Sequence, residues 1–333
     1  MFSVRSVGFI AACVTLATGC GGGGTTKASP LSSASGSGSS TAGPSAQVGP
    51  KGTVTRDSGA GASDPNVSYA VTMTTTSFTV PAGAEVYKCQ DFANPFGGGP
   101  VDIKAWKVAM SQGSHHMTLF NEPGATDGPL IDCPAGGLMV GVYSFGSQIP
   151  KATYTYPDGV GEAVPAAMGF TVNAHYINVG TAPIEATVAV TGLVAAPGVT
   201  AQHAGGMQFV LLTIEVPPST QPVTVGGSCP LPQDMNVFAI SPHMHQRATH
   251  FAVASGGTSL YSTDQWEDTP PALFSPPLQL KSGADISWSC NYTNETDQPL
   301  SYGGSAITNV MCNTVLAFYP VQDINNPLLT CAK

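Results

Sequence analysis

The sequence predicts an all-β protein built of two antiparallel β-sandwich (jelly-roll-like) domains in tandem. Three observations carry this prediction. Short runs rich in β-branched and aromatic residues recur through the chain, clusters of Gly, Pro, Asn and Asp separate them, and no segment shows a long helical period with caps. Many short strands bounded by turn signals belong to sandwiches rather than to βαβ units.

Taken in order, the chain first shows Arg5 followed by an apolar run over 7–18 and then Gly19-Cys20. That run is too short to span a bilayer and reads as a signal-peptide core, so residues 1–20 are predicted to be a leader. The sequence Leu16-Ala17-Thr18-Gly19-Cys20 resembles the bacterial lipoprotein signal, with Ala17 where leucine is commonest. The resemblance implies cleavage before Cys20, lipid modification of Cys20 and membrane anchoring at the bacterial cell envelope, on the periplasmic face or the cell surface. Residues 21–65 are almost entirely Gly, Ser, Thr, Ala and Pro, and are predicted to be a flexible tether. Strands are then predicted at 101–110, 170–179, 184–191, 207–216, 235–240, 286–292 and 310–319.

Of eight cysteines, Cys13 and Cys20 belong to the leader, leaving Cys89, Cys133, Cys229, Cys290, Cys312 and Cys331. An even number in an exported chain indicates disulfides, with fifteen possible connectivities. Two precede residue 200 and four follow residue 228. With plausible connectors near 190–199 and 217–218, this predicts domains at 66–205 and 206–333.

Charge narrows the function. The 333 residues carry 11 Lys+Arg against 20 Asp+Glu, a net −9, and only 9% are charged, where an ordinary soluble domain has about 25%. No basic patch exists to neutralise a phosphate backbone, so nucleic acid is excluded as a partner. Between 206 and 332 the only basic residues are Arg247 and Lys281, and a cleft so poor in cations should prefer a neutral or cationic ligand to a carboxylate.

The chain has seven histidines, and five fall in three compact settings. His115-His116 are adjacent and precede a strand-like run, so shared ligation by both requires a bend. His175 lies in a run where Phe170, Val172, Ala174 and Tyr176 alternate with Thr171, Asn173, His175 and Ile177, which places it on the more polar face. His243-Met-His245 has period two, so both imidazoles share one face, close enough to chelate one ion. His203 and His250 stand apart from these groups. Carboxylates are spread singly, no GxSxG elbow or phosphate-binding glycine motif is present, and metal chemistry is the one organised reactive feature.

These residues resemble the copper type II, ascorbate-dependent monooxygenases, the family of peptidylglycine α-hydroxylating monooxygenase and dopamine β-monooxygenase. The landmarks run in family order over 85–320: Tyr87-Lys-Cys89, His115-His116-Met117, His175-Tyr176, His243-Met-His245, Cys290-Asn-Tyr-Thr-Asn and Met311-Cys312-Asn313. The resemblance implies two mononuclear coppers, one held by His115, His116 and His175 and the other by His243, His245 and Met311. Imidazole suits both copper oxidation states, and a soft thioether favours Cu(I). It further implies disulfides Cys89–Cys133, Cys229–Cys331 and Cys290–Cys312, the last fixing the strand that presents Met311. The group containing Met311 would activate O2 and attack a substrate C–H bond. The three-histidine group would deliver an electron across a solvent-filled cleft, with ascorbate or another reductant as electron source.

Departures concern the substrate side. Ser241 stands where the peptide-amidating member has a carboxylate-binding arginine, Val315 replaces a tyrosine and Val310 an acidic residue, while Asn313 matches and Asn173 replaces a longer amide. Glycine-extended peptides are therefore not the expected substrate, and Ser241 and Asn313 are candidate substrate-side residues. The expected function is copper-dependent hydroxylation of a C–H bond of a small molecule or peptide. The alternative is a non-catalytic copper-binding or copper-sequestering envelope lipoprotein.

Overall fold

The computed structural model describes residues 49–134 and 142–333; the leader, Cys20 and the tether as far as residue 48 lie outside them. Among the described residues the structure is almost all strand, the one helical turn being Ala60–Ala62, and no helix is long and apolar enough to cross a membrane.

The folded chain begins earlier than its composition predicts. Thr53–Asp57, inside the expected tether, is a strand that pairs antiparallel with Val67–Thr74, from Thr53 opposite Thr74 to Asp57 opposite Ala70. All five of its residues are exposed. It is held by ladder hydrogen bonds and by the Arg56 guanidinium 3.6 Å above the Tyr69 ring, which is why no hydrophobic pattern marks it.

In the first half, one sheet runs in the order Thr53–Asp57, Val67–Thr74, Val188–Ala195, Val101–Met110, Val160–Val164, Gln202–His203, with Lys151–Thr155 also on Val101–Met110. The facing sheet runs Ile131–Asp132, Glu85–Phe92, Met168–Ile177, Ser114–Pro123, Val142–Ser147. Alternation decides what each face buries. Phe170, Val172, Ala174 and Tyr176 enter a core with Trp106, Met117 and Leu119. Thr171, Asn173 and His175 take the other face, which is polar as predicted and also buried.

In the second half, a sheet ordered Ala272–Leu280, Met235–Met244, Cys312–Tyr319, Gly205–Val210, Leu328–Ala332 packs on one ordered Ser219–Pro230, Asp285–Asn294, Ala248–Ser255, Thr258–Thr263. Two predicted strands divide: 184–191 into Ile184–Ala186 and Val188–Ala195, and 207–216 into Gly205–Val210 and Glu215–Val216. The predicted 310–319 strand starts at Cys312, so Met311 sits just before it. All three implied disulfides form: Cys89–Cys133, Cys229–Cys331 and Cys290–Cys312.

The halves are joined by specific polar contacts. The Tyr87 hydroxyl donates to the Gly304 carbonyl, the Ser305 hydroxyl and the Ala306 N–H donate to Glu85 (both 2.6 Å), and the Gln148 amide donates to the Pro242 carbonyl at 2.8 Å.

Because Thr53–Asp57 contributes pairing without apolar burial, a chain starting at Asn66 is expected to fold, but with about 1 kcal/mol less stability than one starting at Gly49, a few degrees in Tm. Thermal unfolding of the two truncations checks this.

Candidate metal centre

The bend that adjacent histidines require is a β-bulge. Along the antiparallel pair, His175 is opposite His116 but Tyr176 is opposite Ser114, so His115 is an extra residue in its strand. Gly113 prepares the distortion. Its φ is +86°, a Cβ there would meet the Ile184 Cδ1 at 2.4 Å, and its carbonyl accepts the Ile177 N–H at 2.8 Å. The bulge lets both imidazoles join His175: one nitrogen from each of His115, His116 and His175 lies within 4.8 Å of the others.

His243 is in the Met235–Met244 strand, opposite Asn313, and His245 lies one residue beyond its end. Their rings are 5.2 Å apart, centroid to centroid. The strand stops because Arg247 turns with φ +75° and donates to the Ile307 carbonyl. Met311 is fixed from Asp285–Asn294, whose residues 288, 290 and 292 share one face. Trp288 Nε1 donates to the Cys312 carbonyl at 2.9 Å, Cys290 is bonded to Cys312, and the Tyr292 hydroxyl donates to the Met311 carbonyl.

Acceptor oxygens set three imidazole tautomers. Glu85 Oε1 lies 2.8 Å from His175 Nε2, so that nitrogen carries the proton and Nδ1 the lone pair. The Asn309 carbonyl, 3.3 Å from His245 Nδ1, leaves the lone pair on Nε2. Gln148, its amide nitrogen occupied by the Pro242 carbonyl, presents Oε1 to His243 Nδ1 at 3.2 Å, leaving Nε2 as acceptor. Both nitrogens of His115, Nδ1 of His116 and of His175, and Nε2 of His245 are buried and make no hydrogen bond within the protein. Burial drives His243 down to about 4, with His175 adding to the effect. Burial, then neighbouring histidines, pushes His115, His116 and His245 well below the ordinary imidazole range. Burial also lowers His175 against the opposing pull of Glu85. Burial pushes the Glu85 carboxyl up, but hydrogen bonds from His175, Ser305 and Ala306 outweigh it and hold the group below the carboxylate range.

The two histidine groups do not face each other across a solvent-filled cleft. His116 and His243 are 5.0 Å apart by ring centroid, His115 and His243 5.8 Å, and His115 and His245 6.4 Å. The contacts of Glu85, Tyr87 and Gln148 across the halves hold the rings together. Beside them is a cavity of about 160 Å³ lined by His116, His243, Met311, Ser241, Asn313 and Tyr302, among others. Val315 also lines it, whereas Val310 is fully buried in the core. His203 and His250 pair with Asp102 and Asp264 instead.

Sequence reasoning missed Glu85, Gln148 and Trp266, the last with its ring 5.4 Å from His115. Glu85 lies two residues before Tyr87 in the first landmark. It opens a strand that sets Tyr87 opposite His175, a pairing of distant segments that leaves no signal in the sequence.

The fold and site define a two-sandwich β-protein with buried imidazoles and a thioether at the junction of its halves. Residues 202–332, less than half of the chain, match the family model for the C-terminal domain of the copper type II ascorbate-dependent monooxygenases. No match is found among curated proteins. Among solved structures, the major capsid protein P2 of bacteriophage PM2 aligns at 10% identity over 77% of this chain and 99% of that one, with a TM-score of 0.28. The Broad Bean Stain Virus structure aligns at 10% identity over 76% and 82%, with a TM-score of 0.23. Likenesses this slight carry no argument.

The imidazoles are neutral in the fold at pH values where the unfolded chain already takes up protons. Stability of the metal-free protein is therefore fully present above about 6.5 and is expected to fall as pH drops from there toward about 4, the His243 value. Urea midpoints measured across that window check the sign.

Proposed function

We propose that this chain is a copper-dependent monooxygenase that hydroxylates a C–H bond of an organic substrate, using O2 and a one-electron reductant such as ascorbate, and that lipid on Cys20 anchors it to a bacterial envelope. The observation supporting this most directly is the set of buried, neutral imidazole nitrogens with no protein partner, in a chain whose residues 202–332 match the C-terminal domain of the copper monooxygenases. A buried acceptor left unpaired costs roughly 1–3 kcal/mol, so several together call for a cation. The donor set fits copper, imidazole serving either oxidation state and thioether favouring Cu(I).

In this reading His115, His116 and His175 hold one copper, and His243, His245 and Met311 hold the other. Copper bound there would supply the one-electron redox capacity and O2 activation that no side chain has. The protein's own work is positional. Glu85, Gln148 and the Asn309 carbonyl hold the protons on the outer nitrogens of His175, His243 and His245 and aim the lone pairs inward. Burial keeps the rings unprotonated, and the wall of Ser241, Asn313 and Tyr302 receives the substrate. That wall carries no arginine or lysine, which suits a neutral or cationic substrate.

Metal-free protein is expected to take up two coppers and, once reduced, to couple O2 consumption to reductant oxidation. Met311→Ala should keep the three-histidine copper and weaken Cu(I) at the other group by about tenfold or more. One copper, unaffected by Met311→Ala, would sink the two-group reading. Two tight coppers without O2 consumption across a broad substrate panel would favour the sequestering alternative. Glu85→Gln should lower copper affinity at the three-histidine group roughly tenfold and alter its Cu(II) EPR spectrum, leaving the Met311 group's Cu(I) affinity near its starting value.

A further inference from the structure

A second cavity, about 90 Å³, lies between the halves and shares Tyr143, Gly146, Tyr154, Ser241 and Val315 with the cavity beside the histidines. Its wall is largely aromatic, with Trp106, Phe145, Tyr156 and Phe238 joining Tyr143 and Tyr154. Among the described residues lining it, Glu162 is the only one with a charged side chain, and it is 6% exposed.

The hydrogen bonds of Glu162 come from neutral groups. Trp106 Nε1 and the Tyr156 hydroxyl donate to Oε2, each at 2.7 Å, and the Ser144 hydroxyl donates to Oε1. Among the described residues no Lys, Arg or His pairs with it. The buried Lys104, two residues from Trp106, is already engaged by the Tyr156 and Pro157 carbonyls and by Asp158. Burial and the Glu162 charge together push the Tyr156 hydroxyl well above its usual range, so it remains a donor.

These contacts do not require a charge. A glutamine would accept from Trp106 and Tyr156 through its oxygen and donate to Ser144 through its nitrogen, without the penalty of a buried anion. A carboxylate has about four acceptor positions and three are used, so one donor more can be taken. A buried negative charge with spare acceptor capacity, set in an aromatic wall without a cation of its own, is complementary to an ammonium group on an apolar body.

We propose that this chamber binds an organic ammonium ion, its nitrogen against Glu162 and the aromatic rings and its apolar body running past Tyr143 and Tyr154 toward the histidines. As the substrate site of the hydroxylase this rests on the copper reading; as a cation site it stands without it. The test therefore uses metal-free protein and calorimetry with hexylamine, 1-hexanol and hexanoate, equal chains that differ in head group.

Hexylamine is expected to bind at least tenfold more tightly than hexanol, and hexanoate not to bind measurably. Glu162→Gln should bring amine and alcohol within twofold of each other while leaving the hexanol affinity unchanged and not lowering the unfolding midpoint. Ala317→Phe, which fills the chamber and keeps the carboxylate, should abolish binding of both; with the head-group comparison on the natural chain, it decides the matter if Glu162→Gln does not fold. Equal affinity for amine and alcohol, no amine binding, or an amine preference that survives Glu162→Gln or Ala317→Phe would overturn the proposal. Copper content, measured separately, tests the other reading.

Discussion

The site depends on one half-buried carboxylate, Glu85. Its two oxygens accept from the His175 ring, the Ser305 hydroxyl and the Ala306 N–H, so a single side chain binds an imidazole of the first half and a loop of the second. That loop continues into the other group: Ala306 accepts the Gln246 N–H at 3.2 Å, Asn309 holds His245, and Met311 follows. Taking a carboxylate out of water is unfavourable unless several strong donors meet it, and here three do. The polar face of Met168–Ile177 can therefore be covered by the second half instead of by solvent.

What the sequence made legible was local. Alternation over 170–176 separated core from polar face, and the spacing of His243 and His245 put two imidazoles together. Those signals work because strand periodicity acts over a few residues. Register between distant strands leaves no such trace. Glu85 is an isolated acid 90 residues from His175, and Gln148 lies 95 from His243. Nothing along the chain announces either partner. The Thr53–Asp57 strand was hidden for a different reason: pairing through the backbone needs no apolar side chains. Adjacency of the two histidine groups was lost because a resemblance conveys ligand identity, whereas the separation of the halves is set by contacts such as Gln148 with Pro242 and Tyr87 with Gly304.

The low charge of the chain has a structural counterpart at this junction. Five imidazoles packed ring to ring resist the second proton that would charge them, and added positive charge beside them would make them poorer still as bases. Two carboxylates, the half-buried Glu85 and the buried Glu162, divide the remaining electrostatic work. Glu85 orders the rings by accepting from one of them. Glu162 is held by neutral donors alone at a wall shared with the same cavity system. Among the described residues lining the two cavities, Glu162 is the only one with a charged side chain, and the imidazoles beside them are neutral.

The bulge at His115 makes the three-histidine group a matter of parity. Upstream and downstream of that residue, the same strand presents opposite faces for a given odd or even position, and the extra residue is what turns the first imidazole toward the other two. Chain length between Gly113 and Met117 therefore encodes geometry as much as residue identity does. A gap of one residue there would exchange inside for outside along the strand's beginning while leaving every histidine in the sequence.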